Sequence, residues 1–122
     1  MLRLLCLTSA LLAMSVMAAS ADPDDVMAGF YGNTAVATGG PAVSYSIYKP
    51  DHTFVVKVPD FGVTFSGQWQ ITGTKLCRTY DTPPPNYTNP SCTPIAAHKV
   101  GDVWTVQLPD GERTVTLVAG EM

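Results

Sequence analysis

The chain has 122 residues, 46% of them hydrophobic, and a formal net charge of −3 from seven basic and ten acidic side chains. That length supports one modest core and one fold. Nothing basic clusters, so no nucleic-acid partner is expected.

The first segment has the three-part pattern of an export signal. Met1-Leu2-Arg3 carries one positive charge, Leu4 to Met17 is apolar, and Ala19-Ser20-Ala21 is a small-residue cleavage site followed by Asp22-Pro23-Asp24-Asp25. Residues 1–21 therefore read as a signal peptide and 22–122 as a single disulfide-bonded β-barrel domain, with no membrane span after cleavage. Cleavage leaves 101 of the 122 residues, with six of the seven basic and all ten acidic side chains, a net charge of −4. The expected location is periplasmic or secreted.

Asp24 to Tyr31 is the one candidate for a helix, a short turn packing Met27 and Phe30 against an end of a sheet. From Asn33 onward, apolar and polar residues alternate at period two between Gly, Pro, Asp and Asn, which is the pattern of half-buried antiparallel strands. Val43, Tyr45 and Ile47 share one face, with Ser44 and Ser46 opposite, and Lys49-Pro50-Asp51-His52 reads as a turn. Phe54, Val56 and Val58 form the next face, ending at Pro59-Asp60. Phe61, Val63 and Phe65 follow, and Trp69 and Ile71 come after Gly67, either in one strand bent at the glycine or after a turn.

Thr72-Gly73-Thr74 is a hairpin candidate leading to Leu76, Arg78 and Tyr80. Thr82 to Ser91, with four prolines, cannot hold a ladder because proline lacks the donor. Ile95 to Val100 reads as a weaker strand and Gly101-Asp102 as a turn. Trp104, Val106 and Leu108 alternate clearly. Pro109-Asp110-Gly111-Glu112 is the strongest hairpin signal, since Asp-Gly supplies the positive φ angles of a tight turn. Val115 and Leu117 then share the face of the last strand. Seven or eight such strands form an all-β antiparallel meander, and the expected closure is a small lipocalin-like barrel, with a two-sheet sandwich as the alternative.

Cys6 leaves with the signal, so Cys77 and Cys92 remain as an even pair in an oxidising compartment, and a disulfide is the default reading. It closes a loop worth about 3 kcal/mol in the chain-entropy account.

Four short stretches carry a resemblance. Gly32-Asn33-Thr34, Lys49-Pro50-Asp51-His52-Thr53-Phe54, Gly67-Gln68-Trp69 and Leu76-Cys77 together resemble a group of small exported proteins of Gram-negative bacteria with a lipocalin-like fold. His52 stands where relatives often carry the glycine of the turn. The resemblance implies a fold and a compartment, and it transfers no catalytic residue.

Candidate chemistry is sparse. His52 and His98, with Asp51, Asp60 and Asp102, lack metal-ligand spacing, so no metal site and no cofactor are expected. There is no Gly-x-Ser-x-Gly and no free mature cysteine, so no catalytic residue is assigned and no enzyme is expected. The aromatic side chains on apolar strand faces either fill the core or line a pocket at the barrel mouth. The ligand-binding candidates are Tyr45, Phe54, Phe65, Trp69 and Trp104. Tyr48, Tyr80 and Tyr87 are expected outward or in the loop. The leading expectation is a non-enzymatic protein that binds a small apolar or aromatic ligand. The alternative is an envelope protein-interaction module or a protease inhibitor acting through an extended N-terminal segment, Asp22 to Ala28.

Overall fold

The computed structural model describes residues 22–122; the expected signal peptide, residues 1–21, lies outside the described residues. Eight strands form one antiparallel sheet: β1 (Asn33–Thr38), β2 (Ser44–Tyr48), β3 (Thr53–Val58), β4 (Val63–Thr72), β5 (Lys75–Tyr80), β6 (Ser91–Pro94), β7 (Val103–Leu108) and β8 (Gly111–Ala119). Their order is β6-β5-β4-β3-β2-β1-β8-β7. The meander therefore curls until β8 pairs with β1, with Ala35 opposite Leu117, and among the described residues the ring is broken only between β6 and β7. One sheet curled into a nearly closed barrel excludes the two-sheet sandwich. Among the described residues, no helix is long and apolar enough to cross a membrane.

The chain enters through a 3₁₀ helix, Pro23–Phe30, whose start is dictated locally. Asp22 accepts a hydrogen bond from the Asp24 backbone N–H at 2.9 Å, Pro23 takes the first helical position, and Asp24 and Asp25 lie in the first turn. Met27 and Phe30 are fully buried in the core beside Leu117 and Trp69. Full burial of each stabilises by roughly 1.5–3 kcal/mol. Asp22 to Ala28 is thus not an extended free arm, because it coils into this helix with Met27 fully buried and Val26 packed against the core.

Two turns and one mid-strand glycine show how local chemistry sets the register. At Lys49-Pro50-Asp51-His52-Thr53, the His52 N–H donates to Lys49 and the Lys49 N–H to Thr53, both at 3.0 Å, and His52 takes a φ of 69°. A histidine here adopts the left-handed conformation that glycine adopts most readily. Its strain is opposed by the Asp51 carboxylate, which accepts from the Thr53 N–H at 3.0 Å and its hydroxyl at 2.6 Å.

At the β7–β8 hairpin, Asp110 does not take the positive φ expected of it. Leu108 pairs directly with Gly111, so Pro109-Asp110 is the whole loop and only Gly111 carries positive φ, at 128°. Proline at the first central position favours this turn type, with glycine closing it.

β4 runs unbroken through Gly67, so Phe65 and Trp69 belong to one strand. A Cβ on Gly67 would overlap the carbonyl oxygen of Thr79 on β5. This close approach of backbones explains why glycine is needed in mid-strand.

Two expectations shift. The strand expected over Ile95 to Val100 is irregular, and the ladder lies earlier, at Ser91–Pro94. Cys92 pairs directly with Cys77 there, joined by a disulfide, and Pro94 is tolerated because β6 is an edge strand with a partner on one side only. The second shift is the face of β2. Ser46 pairs with Ala35 and Val56, both inward, so Ser44, Ser46 and Tyr48 face the interior and Tyr45 and Ile47 face out. Ile47 is buried nonetheless. On the same outer face, the fully buried Thr34 accepts from the Met122 N–H at 3.1 Å, and Lys57 donates to the Met122 carbonyl at 2.6 Å, so the C-terminal tail crosses β1 to β3 there.

Candidate functional site

The interior holds a cavity of about 280 Å³, near the lower end of small-molecule sites at roughly 300 Å³. Space exists because the inward positions of β1 and β2 are small. Ala35, Ala37, Ser44 and Ser46 line one wall where larger residues would fill a barrel of this width. Val56, Val58, Phe65, Leu76, Val106 and Val115 complete an apolar lining.

One end is stopped by Phe30, whose ring meets Tyr48 and Trp104 edge-on at 5.8 and 5.9 Å. The other end is formed by loops. Pro41 and Ala42 between β1 and β2, Phe61 between β3 and β4, and Pro84, Pro85 and Tyr87 between β5 and β6 surround the mouth. Phe61 is 59% exposed, an apolar ring standing at an entrance. The proline-rich loop is held over the cavity by Asn89, whose amide accepts from the Tyr80 N–H at 2.8 Å and donates to its carbonyl at 2.9 Å. A side chain thereby replaces the strand that the prolines cannot form.

The five aromatic candidates separate. Phe65 and Trp104 line the cavity. Phe54 is buried in the core, with its ring edge-on to Tyr80 at 5.1 Å, and does not reach the open space. Trp69 closes the helix end: its indole N–H donates to the Lys49 carbonyl at 2.9 Å and its ring stacks on His52 at 4.0 Å. Tyr45 faces away, because the apolar phase of β2 is its outer face. Tyr48 and Tyr80, expected outward, are buried and line the cavity together with Tyr87.

The histidines are not gathered. His52 is paired with Asp24 at 2.6 Å, tying the helix to the β2–β3 turn. His98 is paired with Asp102 at 3.2 Å and stacks on Trp104 at 3.6 Å. No group of three or more His, Cys, Asp or Glu side chains among the described residues is placed to hold a metal ion. Cys77 and Cys92 are bonded on the outer phase of β5 and β6, beside a polar groove lined by Gln68, Gln70, Thr72 and Thr79.

The interior is not purely apolar. Arg78 and Arg113 are both inward and each is nine-tenths buried. Arg113 is satisfied by Asp110 at 2.7 Å and by the Glu112 carbonyl at 3.2 Å. Arg78 is not. Its hydrogen-bond partner among the described residues is the Tyr48 hydroxyl, at 3.3 Å from Nη1, and its Nε is the one buried side-chain polar atom there without a partner. Tyr80 lies under the guanidinium, 5.5 Å from ring centre to charge. Arg78 falls in the same phase as Leu76 and Tyr80, and that inward phase was the signal available from the sequence.

Burial pushes the Tyr80 hydroxyl up to about 12, with Arg78 opposing and Tyr48 and Tyr87 adding. Burial likewise raises Tyr87, helped by Asp110. These two phenols stay protonated across the physiological range. Compared with protein-family models, curated proteins and solved structures, the chain matches none of them.

Proposed function

We propose that the protein is an exported, non-enzymatic binding protein that holds one small apolar or aromatic molecule inside its barrel. The observation that carries this reading is the cavity itself, open among apolar loop residues at one end and stopped by Phe30 at the other. A domain this small gains stability by filling its core, so retaining a hole beside Ala35, Ala37, Ser44 and Ser46 costs stability that a bound molecule restores. The Cys77–Cys92 disulfide fits an oxidising compartment, as does the export signal read in residues 1–21. Binding is favoured over turnover because His52 and His98 are each engaged by an aspartate and a tryptophan ring, and neither lines the cavity.

The test is native mass spectrometry of the protein taken from its own host's envelope, with tryptophan fluorescence titrations of octanoate, octan-1-ol and naphthalene. A reproducible added mass lost on denaturation is expected. The fluorescence change should disappear in Trp104→Phe, which removes the indole on the cavity wall, and persist in Trp69→Phe. No adduct and no saturable response to any of the three compounds would overturn the reading.

A further inference from the structure

We infer that the occupant is an apolar monocarboxylate, bound head-inward with its carboxylate on Arg78 and the Tyr48 hydroxyl. This inference rests on the binding-protein reading and specifies the chemistry of the same cavity.

The argument begins with an unmet requirement. A guanidinium has five N–H donors and keeps its charge in proteins, and burying such a group without an oxygen partner is among the most unfavourable arrangements in a core. Arg78 is 8% exposed, its Nη1 reaches a neutral phenol, and Nε has no partner among the described residues. The edge formed by Nε and the neighbouring terminal nitrogen is the one that grips a carboxylate with two parallel hydrogen bonds. Tyr48 extends this donor set. Its oxygen already accepts from Arg78, which leaves its own proton to donate.

Charge selects the sign and number. The cavity wall carries two arginines and one carboxylate, Asp110, which is engaged by Arg113 at 2.7 Å. The balance is a single positive charge in a chain whose overall charge is −3. One anionic head neutralises it, a dianionic phosphate monoester leaves a buried negative charge, and an ammonium head is repelled. Position selects the orientation. Arg78 and Tyr48 lie on the inner wall, whereas Phe61, Pro84 and Pro85 stand on the loops of the mouth, so the head lies deep and the tail points outward. The open space of about 280 Å³ lies near the roughly 300 Å³ lower end of small-molecule sites. Such a space suits a small acid, octanoate or a phenyl-substituted acetate.

The experiment is calorimetric titration of the disulfide-intact protein with octanoate, octan-1-ol and octylamine, on wild type, Arg78→Met and Tyr48→Phe. Wild type should bind octanoate at least tenfold more tightly than octanol, and octylamine most weakly. Arg78→Met should abolish the preference for octanoate while still binding octanol, which shows the barrel intact. Tyr48→Phe should reduce octanoate binding several-fold and leave octanol unchanged. Octanol bound as tightly as octanoate by wild type, or the preference surviving Arg78→Met, would sink the carboxylate assignment while leaving the binding-protein reading in place. Failure of all three compounds to bind any variant would remove both.

Discussion

Arg78 on β5 donates to the hydroxyl of Tyr48 on β2 across the barrel interior at 3.3 Å, and no carboxylate among the described residues approaches that guanidinium. A charge so placed works against the empty fold. Replacing even a paired buried charge by apolar residues of similar volume is often neutral or stabilising by about 1–4 kcal/mol, and Arg78 lacks a paired carboxylate. Arg78→Met is therefore expected to raise the urea midpoint of the ligand-free protein. A lowered midpoint would mean that the guanidinium stabilises the barrel in its own right.

The Cys77–Cys92 bond closes a loop with a sequence separation of 15, and it pins edge strand β6, which has no neighbour on its other side. Reduction, or the double change Cys77→Ser with Cys92→Ser, should cost about 3 kcal/mol. Denaturant titration with and without reductant measures this. The proline-rich loop over the cavity should become more susceptible to proteolysis in the reduced protein, since it would then keep only non-covalent ties, such as the Asn89 hydrogen bonds to Tyr80 and the packing of Tyr87 on that ring.

Gly67→Ala places a methyl group against the Thr79 carbonyl oxygen, where the two backbones are too close to admit it. β4 and β5 would have to separate. The expected loss exceeds the roughly 1 kcal/mol typical of a point substitution, and circular dichroism melting would register it. Gly73→Ala, at a turn with open space around it, should cost less despite its φ of 62°.

Met27 is fully buried at the closed end, on a helix whose remaining attachments include the His52–Asp24 pair. Met27→Ala should destabilise by about 2–5 kcal/mol through lost transfer energy and the hole left behind. Asp24→Asn, at a half-exposed pair, should cost under about 1 kcal/mol. If the two variants were equally destabilised in equilibrium unfolding, the pair rather than the buried methionine would be the anchor.

Stability should fall in alkali. The Tyr80 hydroxyl is pushed up to about 12 when folded, principally by burial, against an ordinary value of 10.0. Below 10 both folded and unfolded chains hold the proton; between 10 and 12 the unfolded chain releases it first, so unfolding gains. The loss across that window is on the order of 3 kcal/mol from this residue. Denaturant titrations from pH 9 to pH 12 should show the decline, and it should be smaller in Tyr80→Phe compared with wild type.

Much of the fold is written in short-range pattern. Period-two alternation located β3, β5, β7, β8 and both halves of β4, whose continuity through Gly67 it left open; the burial of Met27 and Phe30 was legible from their spacing, and the cysteine pair followed from its parity. Pattern also misled in specific places. On β2 the apolar residues Val43, Tyr45 and Ile47 suggested an inner face, yet pairing with Ala35 and Val56 turns Ser44, Ser46 and Tyr48 inward. Alternation shows that a strand has two faces, and only its neighbours decide which one meets the core. Ile95 to Val100 had the composition of a strand, but the ladder to β5 forms at Ser91–Pro94 instead, where Cys92 lies opposite Cys77. By itself the sequence determined the strand periodicity, the turns and the helix start, because these depend on contacts a few residues apart. Only the tertiary structure decided the β1–β8 closure, the hollow left by small residues on adjacent strands, and the solitary charge of Arg78 within it. Each of these depends on which distant side chains become neighbours.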